Sequence, residues 1–175
     1  YNLPVTYEFY MSGYLIRLFH SSPYGLDYMY NPMFSNDETK YSITELKNPL
    51  DLFENTPFIG KTPDDPIPDI IGYGHTHTPN IFRVKNKTIF NPGSVGIPIE
   101  MLNTDVNDKT NKFSALASYT ILEGTLNSKK LSSINITLVR LPYDIEKEIE
   151  SAEKCNFPGK ERLSVELRTA TNFRR

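Results

Sequence analysis

The chain has three histidines among its 175 residues, and each follows an apolar segment typical of a strand. His20 ends the segment YLIRLFH, whereas His75 and His77 follow IIGYG within GHTHTP. Neutral imidazole is a common metal ligand, and two histidines separated by one residue can face one cavity if the backbone adopts unusual dihedral angles. Gly72 and Gly74 are expected to supply that freedom. The pattern predicts a metal site, although an isolated His-x-His is more often a pair of surface histidines bonded to neighbours.

Two other kinds of metal site do not fit these residues. A cupin barrel needs a glutamate a few residues after His-x-His and a later histidine, but residues 79–86 contain no glutamate and no histidine follows His77. A zinc finger needs four closely spaced ligands, and the single cysteine, Cys155, is far from every histidine in the sequence. One cysteine also excludes an internal disulfide, which fits a cytoplasmic location.

Composition restricts the class of protein. The net charge of -2 offers no basic surface for nucleic acid, and the sequence has no apolar run long enough to cross a membrane. Residues 1–175 contain no repeat or linker and are expected to form a single domain with a hydrophobic core. The oligomeric state stays open.

The elements that must position the histidines are mainly strands. Alternating and β-branched residues predict three antiparallel pairs, namely residues 5–11 with 14–20 across Ser12-Gly13, residues 80–84 with 88–91, and residues 113–123 with 134–142. Residues 24–40 are polar and rich in tyrosine, and they are expected to form an exposed excursion or lid. A helix interrupted by Pro49 is expected over residues 42–56. Residues 144–154 predict a surface helix that packs one apolar stripe, formed by Ile145, Ile149 and Ala152.

Three ordered segments, LFHSSP, DIIGYGHTHTP and FNPGSVGIP, resemble the second half of the calcineurin-like metallophosphoesterases. The resemblance is to the bacterial branch of small phosphodiesterase-like phosphatases, and it extends through the tail from YTILEG to CNFP. It implies an α/β fold in which a metallophosphoesterase-type β-sandwich is flanked by helices. The chain would contain mainly the β-rich C-terminal portion of that domain.

The resemblance also implies a role for each histidine. His20 and His75 would bind one divalent metal ion and His77 a second, with Mn, Fe, Zn or Ni as candidates. A metal-bridging hydroxide would attack a phosphodiester or phosphomonoester, such as a nucleotide. The turn Asn91–Ser94 would support the site from behind, with the Ser94 hydroxyl serving the turn rather than the chemistry.

The family pattern further demands Asp-x-His, Gly-Asp and Gly-Asn-His motifs that these 175 residues lack. Asp64, Asp65 and Asp69 precede the histidine loop across a proline-rich segment and are not expected to replace a bridging carboxylate. The general acid and the remaining ligands are therefore expected upstream of Tyr1, and the chain alone is expected to be inactive. The alternative is a non-catalytic scaffold of the same fold that binds a protein partner.

Overall fold

The computed structural model describes residues 4–21, 49–55, 61–97, 99–100, 112–113 and 116–169. These residues form a mixed α/β structure with a five-stranded sheet, two two-stranded sheets, two α-helices and a short 3-10 helix. The predicted excursion over residues 24–40 lies outside the described residues.

The three histidines lie in segments that join or follow strands of the five-stranded sheet. Its strands are β1 (Thr6–Met11), β2 (Tyr14–Phe19), β3 (Ile70–Tyr73), β4 (Asn80–Val84) and β5 (Lys87–Asn91), in the spatial order β1-β2-β3-β5-β4. The central strands β2, β3 and β5 are parallel to one another, whereas β1 and β4 run antiparallel to their neighbours. The carboxyl ends of the three parallel strands therefore share one edge.

The hairpin formed by β1 and β2 confirms the first predicted pair. Met11 faces Tyr14, and the two residues between them have positive φ, 53° at Ser12 and 88° at Gly13. Left-handed backbone at both positions matches the right-handed twist of the flanking strands. Strand β2 ends at Phe19, so that His20 is the first residue after it.

Apolar residues cover both faces of the central strands, as parallel strands require. Ile71 and Ile89 contribute to a buried cluster on one face, which the 3-10 helix Pro49–Phe53 helps to cover. Ile70 and Phe90 contribute to a second cluster on the other face. Adjacent residues of one strand thus enter opposite layers of the core.

The α-helix predicted over residues 42–56 is wrong where the structure describes this stretch, which forms only the 3-10 helix Pro49–Phe53. Pro49 stands at its first position, where a missing N–H costs no helical hydrogen bond. In the interior of an α-helix the same proline would remove a bond and clash with the preceding turn. Residues 42–48 and 56 lie outside the described residues.

A separate two-stranded antiparallel sheet packs on the five-stranded sheet. It consists of β8 (Leu116–Glu123) and β9 (Asn135–Pro142), which confirms the third predicted pair. Leu122 and Ile136 pack against the cluster that contains Ile70 and Phe90. The short strands β6 (Ile99–Glu100) and β7 (Lys112–Phe113) form a further pair that the sequence did not predict.

Two helices follow β9, and the first confirms a prediction. Helix α1 (Ile145–Lys154) begins at Asp144, whose side chain accepts a hydrogen bond from the backbone N–H of Lys147. Ile149 and Ala152 are buried as predicted, whereas Ile145 is only partly buried. None of the helices in the described ranges is long and apolar enough to span a membrane.

The second helix, α2 (Lys160–Thr169), was not predicted. Its Leu163 and Leu167 pack against Ile149 and Ala152 of α1, so the two helices cover each other's apolar stripes. The available signal was the four-residue spacing of these leucines after Pro158-Gly159, a stripe too short to distinguish a helix from a loop.

Candidate metal centre

The carboxyl edge of the parallel strands brings two of the histidines together. His20 follows β2 directly, and His75 lies two residues beyond β3, the strand next to it. The Gly74 N–H donates to the His20 carbonyl at 2.7 Å, which holds the two segments side by side beyond the strand ends. Ligands of open α/β sheets bind at this edge, because loops from adjacent strands converge there.

The rings of His20 and His75 are in direct contact. His20 Nε2 lies 3.1 Å from His75 Nδ1, and the rings meet edge to face at 80°. At this distance one neutral imidazole donates a hydrogen bond to the other. Two imidazoles bound to one divalent ion at about 2.1 Å would also place their nitrogens about 3.0 to 3.4 Å apart. The pair therefore fits the ligand set of a metal ion as well as a hydrogen bond.

His77 makes a different contact. Its Nδ1 lies 2.9 Å from the carbonyl oxygen of Ile97. A carbonyl only accepts, so Nδ1 carries the hydrogen and the lone pair of the neutral ring is on Nε2. Histidines that bind metals commonly donate their other ring N–H to a carbonyl in this way.

Within the described ranges, no group of three or more His, Cys, Asp and Glu side chains is placed to hold a metal ion. The structure thus brings His20 and His75 together, and fixes His77 on the same loop by a separate contact. The metal-ligand roles of all three histidines stay predictions.

The aspartates that precede the histidine loop in the sequence are bonded away from the histidines. Asp69 precedes β3, and its carboxylate accepts hydrogen bonds from the Leu15 N–H at 3.0 Å and from Lys87 Nζ at 3.2 Å. The four residues of β3, a length of about 13 Å, separate it from the histidine edge. Hydrogen bonds from Thr62 lower the pKa of Asp65 in the preceding loop. Neither carboxylate is placed to bridge ions at the histidines.

The backbone of the histidine loop differs from the prediction. Left-handed conformations occur at His75, with φ of 67°, and at His77, with φ of 59°, rather than at the expected glycines. Such conformations cost a non-glycine residue about 1–3 kcal/mol and persist only where surrounding contacts enforce them. Gly72 instead permits close packing, because a Cβ there would lie 2.4 Å from Phe90 Cζ. A Cβ at Gly74 would approach the His20 carbonyl oxygen to 3.2 Å.

His75 lies at the centre of a γ-turn. The Thr76 N–H donates to the Gly74 carbonyl at 2.8 Å, an i to i+2 bond that spans His75 alone. A γ-turn whose central residue has positive φ is the rarer and more strained kind. The turn reverses the chain immediately beyond β3 and presents His75 toward His20.

The turn after β5 supports this loop from behind, as the sequence suggested. Asn91 is fully buried, and its Oδ1 accepts a hydrogen bond from the Gly93 N–H at 2.8 Å. Ser94 O accepts from the Ser118 N–H at 2.9 Å, which anchors the turn to β8. Ser94 Oγ accepts from the Ile97 N–H at 3.0 Å, so the hydroxyl serves the turn whose carbonyl contacts His77.

Two polar residues of this region were missed by the sequence interpretation. Thr76 Oγ1 accepts a hydrogen bond from Asn91 Nδ2 at 3.0 Å. Tyr73 is only 2% exposed, and its hydroxyl accepts from Asn80 Nδ2 at 3.2 Å. Burial raises the pKa of Tyr73 to about 12. The sequence carried no signal for these contacts, because both depend on residues that come together only in the sheet.

No protein-family model and no curated protein matches the sequence. Among solved structures, a metallophosphoesterase from Sphaerobacter thermophilus is similar over 97% of this chain, with a TM-score of 0.51 and 18% identity. The chain has a metallophosphoesterase-type fold. A hypothetical protein from Pyrococcus horikoshii OT3 is similar over 95% of the chain, with a TM-score of 0.50 and 14% identity.

The chain contains only part of a metallophosphoesterase-type fold. It spans 58% of the Sphaerobacter thermophilus protein and 50% of the Pyrococcus horikoshii protein. The mixed α/β structure with its five-stranded sheet and two helices matches the C-terminal portion of that fold, as the sequence predicted.

Proposed function

We propose that this chain is the C-terminal part of a dinuclear metal-dependent phosphoesterase. The observation that carries the proposal is the contact between His20 Nε2 and His75 Nδ1, 3.1 Å apart at the carboxyl edge of a metallophosphoesterase-type sheet. In this assignment His20 and His75 bind one ion, and His77 binds the second through Nε2 while Ile97 holds its Nδ1.

The charge of the ligands supports a role for residues outside this chain. Three imidazoles are neutral, and two dications about 3.5–4 Å apart need anionic ligands between them. Asp69 is bonded at the other end of β3, and Asp65 is bonded to Thr62 within its own loop. We therefore assign the bridging carboxylate, the remaining ligands and the general acid to the rest of a longer protein, upstream of Tyr1.

Bound divalent ions activate water and neutralise charge on phosphate oxygens, which is the chemistry of phosphoester hydrolysis. Mn, Fe, Zn and Ni all accept imidazole ligands. The substrate is a phosphodiester or a phosphomonoester, with nucleotides as the first class to test. The single cysteine supports a cytoplasmic location.

The test compares the 175-residue chain with the natural full-length protein. Both are assayed with bis-(p-nitrophenyl) phosphate and p-nitrophenyl phosphate, with Mn²⁺ and with a chelator. We expect metal-dependent hydrolysis by the full-length protein only, and its loss in His75→Ala. Thr137→Ala, an exposed change in the separate β8–β9 sheet, is the control and should leave activity unchanged.

Two results would contradict the proposal. Hydrolysis that survives the chelator would show that metal ions do not carry the reaction. Strong activity of the short chain would show that upstream ligands are not needed.

A scaffold that binds a protein partner is the second candidate, and one observation favours it. Tyr119, Ile121 and Leu141 lie on one face of the β8–β9 sheet and are 38%, 40% and 44% exposed. Apolar side chains grouped on an exposed face are typical of interaction surfaces. A folded full-length protein that takes up no metal and hydrolyses neither substrate would favour this function over catalysis.

A further inference from the structure

The loop Gly74–His77 has left-handed backbone at both of its histidines, with φ of 67° at His75 and 59° at His77. No glycine occupies either position, so the conformation must be imposed by contacts with other parts of the chain. The contact within the loop, from the Thr76 N–H to the Gly74 carbonyl, forms only after the γ-turn is made. It therefore does not explain why the turn is chosen.

Asn91 supplies contacts from outside the loop. Its Nδ2 donates to Gly74 O at 3.0 Å and to Thr76 Oγ1 at 3.0 Å. These acceptors lie on either side of His75, and Gly74 O is the same oxygen that closes the γ-turn. One side-chain amide thus binds both ends of the turn.

The opposite side of the same amide is also engaged. Asn91 Oδ1 accepts from the Gly93 N–H at 2.8 Å, which fixes the rotation of the amide and aims Nδ2 at the histidine loop. Asn91 is the last residue of β5, where its backbone is held by pairing with Asn80. It is fully buried, so water does not compete for these bonds.

The side chain of asparagine is suited to this position. Aspartate keeps the acceptor for Gly93 but has no N–H for Gly74 or Thr76. Glutamine has the same groups on a longer stem, which does not fit a buried site packed around the shorter residue. Alanine removes all three hydrogen bonds and leaves buried polar atoms without their partner.

We propose that Asn91 is a positioning residue that holds the His75 γ-turn and thereby sets the direction of His75 toward His20. Its effect on metal affinity rests on the function proposed above. Its effect on the backbone of the loop does not. The two effects are measured separately, so that one can fail without the other.

The experiment uses Asn91→Asp and Thr76→Val in the natural full-length protein. The two bonds that Asn91 Nδ2 donates to Gly74 O and Thr76 Oγ1 are called the clamp. Asn91→Asp removes both of these bonds and keeps the bond from Gly93. Thr76→Val removes one acceptor of the clamp and is the milder change. Asn55→Ala is the matched control, because Asn55 is 4% exposed and bonded to Arg17 at another site in the fold. Amide exchange at position 76, Co²⁺ affinity and the visible spectrum of bound Co²⁺ are measured for each protein.

For Asn91→Asp we expect exchange at position 76 to accelerate at least tenfold and Co²⁺ affinity to fall about 10- to 100-fold, the range for residues that orient metal ligands. The visible spectrum of bound Co²⁺ should change as well. Thr76→Val should change the same readouts in the same direction but less. Asn55→Ala should lower global stability but leave the Co²⁺ affinity and the Co²⁺ spectrum of the folded protein unchanged.

Unchanged exchange at position 76 in folded Asn91→Asp would overturn the clamp. Faster exchange with unchanged Co²⁺ affinity and spectrum would overturn the positioning role. If the unsubstituted protein binds no Co²⁺, faster exchange in the variants would still support the clamp, and the proposed metal-dependent function would be the part that fails.

Discussion

Tyr73 is expected to make the stability of this protein depend on pH above 10. Its ring is 2% exposed at the end of β3, and its hydroxyl accepts a hydrogen bond from Asn80. Burial disfavours the phenolate more than interactions with the side chains of Asn80 and Asn91 favour it, so that the pKa rises from 10.0 to about 12. The native state therefore keeps a proton that the unfolded chain releases.

The size of the effect follows from this difference in pKa. Stability contributed by the neutral phenol is fully present below pH 10 and is lost as the pH rises through 12. Proton linkage gives a loss of about 1 kcal/mol at pH 11 and about 3 kcal/mol once both states are ionised. Because Tyr73 is almost fully buried, solvent screening does not reduce these values appreciably.

The assay is denaturant unfolding followed by circular dichroism at several pH values from 8 to 12. Tyr73→Phe removes the titrating group while keeping the ring, and every other tyrosine and lysine is present in both proteins. The variant loses the interactions of the hydroxyl with Asn80 and Asn91 at all pH values, which gives a constant offset. Relative to that offset, the variant should gain about 1 kcal/mol over the unsubstituted protein at pH 11.

Tyr143→Phe serves as the comparison, because burial also raises the pKa of Tyr143 but this side chain is only partly buried. Its effect should be smaller than that of Tyr73→Phe. If Tyr73→Phe and the unsubstituted protein lose stability in parallel between pH 10 and 12, the phenol of Tyr73 is not protected from ionisation and the reasoning fails.

Four further substitutions separate packing from the metal centre. Gly72→Ala places a Cβ 2.4 Å from Phe90 Cζ and should lower the free energy of unfolding by about 1–3 kcal/mol, whereas Gly96→Ala, which meets no atom within 4 Å, should change it little in the same denaturation assay. Ile149→Ala, at a side chain 3% exposed between α1 and α2, should cost about 2–5 kcal/mol and leave Co²⁺ binding of the folded protein unchanged. His75→Ala should do the reverse, and loss of Co²⁺ binding in well-folded Ile149→Ala would show that the helices and the metal centre are not independent.

Several elements were predictable because their signals lie within a few residues. Ser12-Gly13 between two apolar segments predicted the β1–β2 hairpin, and both residues have the positive φ that a two-residue turn needs. Alternation of side chains predicted the β8–β9 pair, whose register confirms it. The helical spacing of Ile145, Ile149 and Ala152 predicted α1.

Other elements were not predictable from such signals. Helix α2 buries only two apolar side chains, Leu163 and Leu167, and packs them against α1, so its own apolar pattern was too short to recognise. The pattern around Pro49 favoured an α-helix, but a proline is suited to begin a helical segment, and the segment that begins at Pro49 is the short 3-10 helix Pro49–Phe53.

The sequence by itself determined where the candidate ligands stand in the chain, since the apolar strands before His20 and His75 are visible as local patterns. Only the tertiary structure decided that these two histidines meet, because the order β2-β3-β5 is set by packing between segments that are distant in sequence. The strained backbone of the loop was decided in the same way. It is held by Asn91, which follows Thr76 by 15 residues and reaches it only because β5 pairs beside β3.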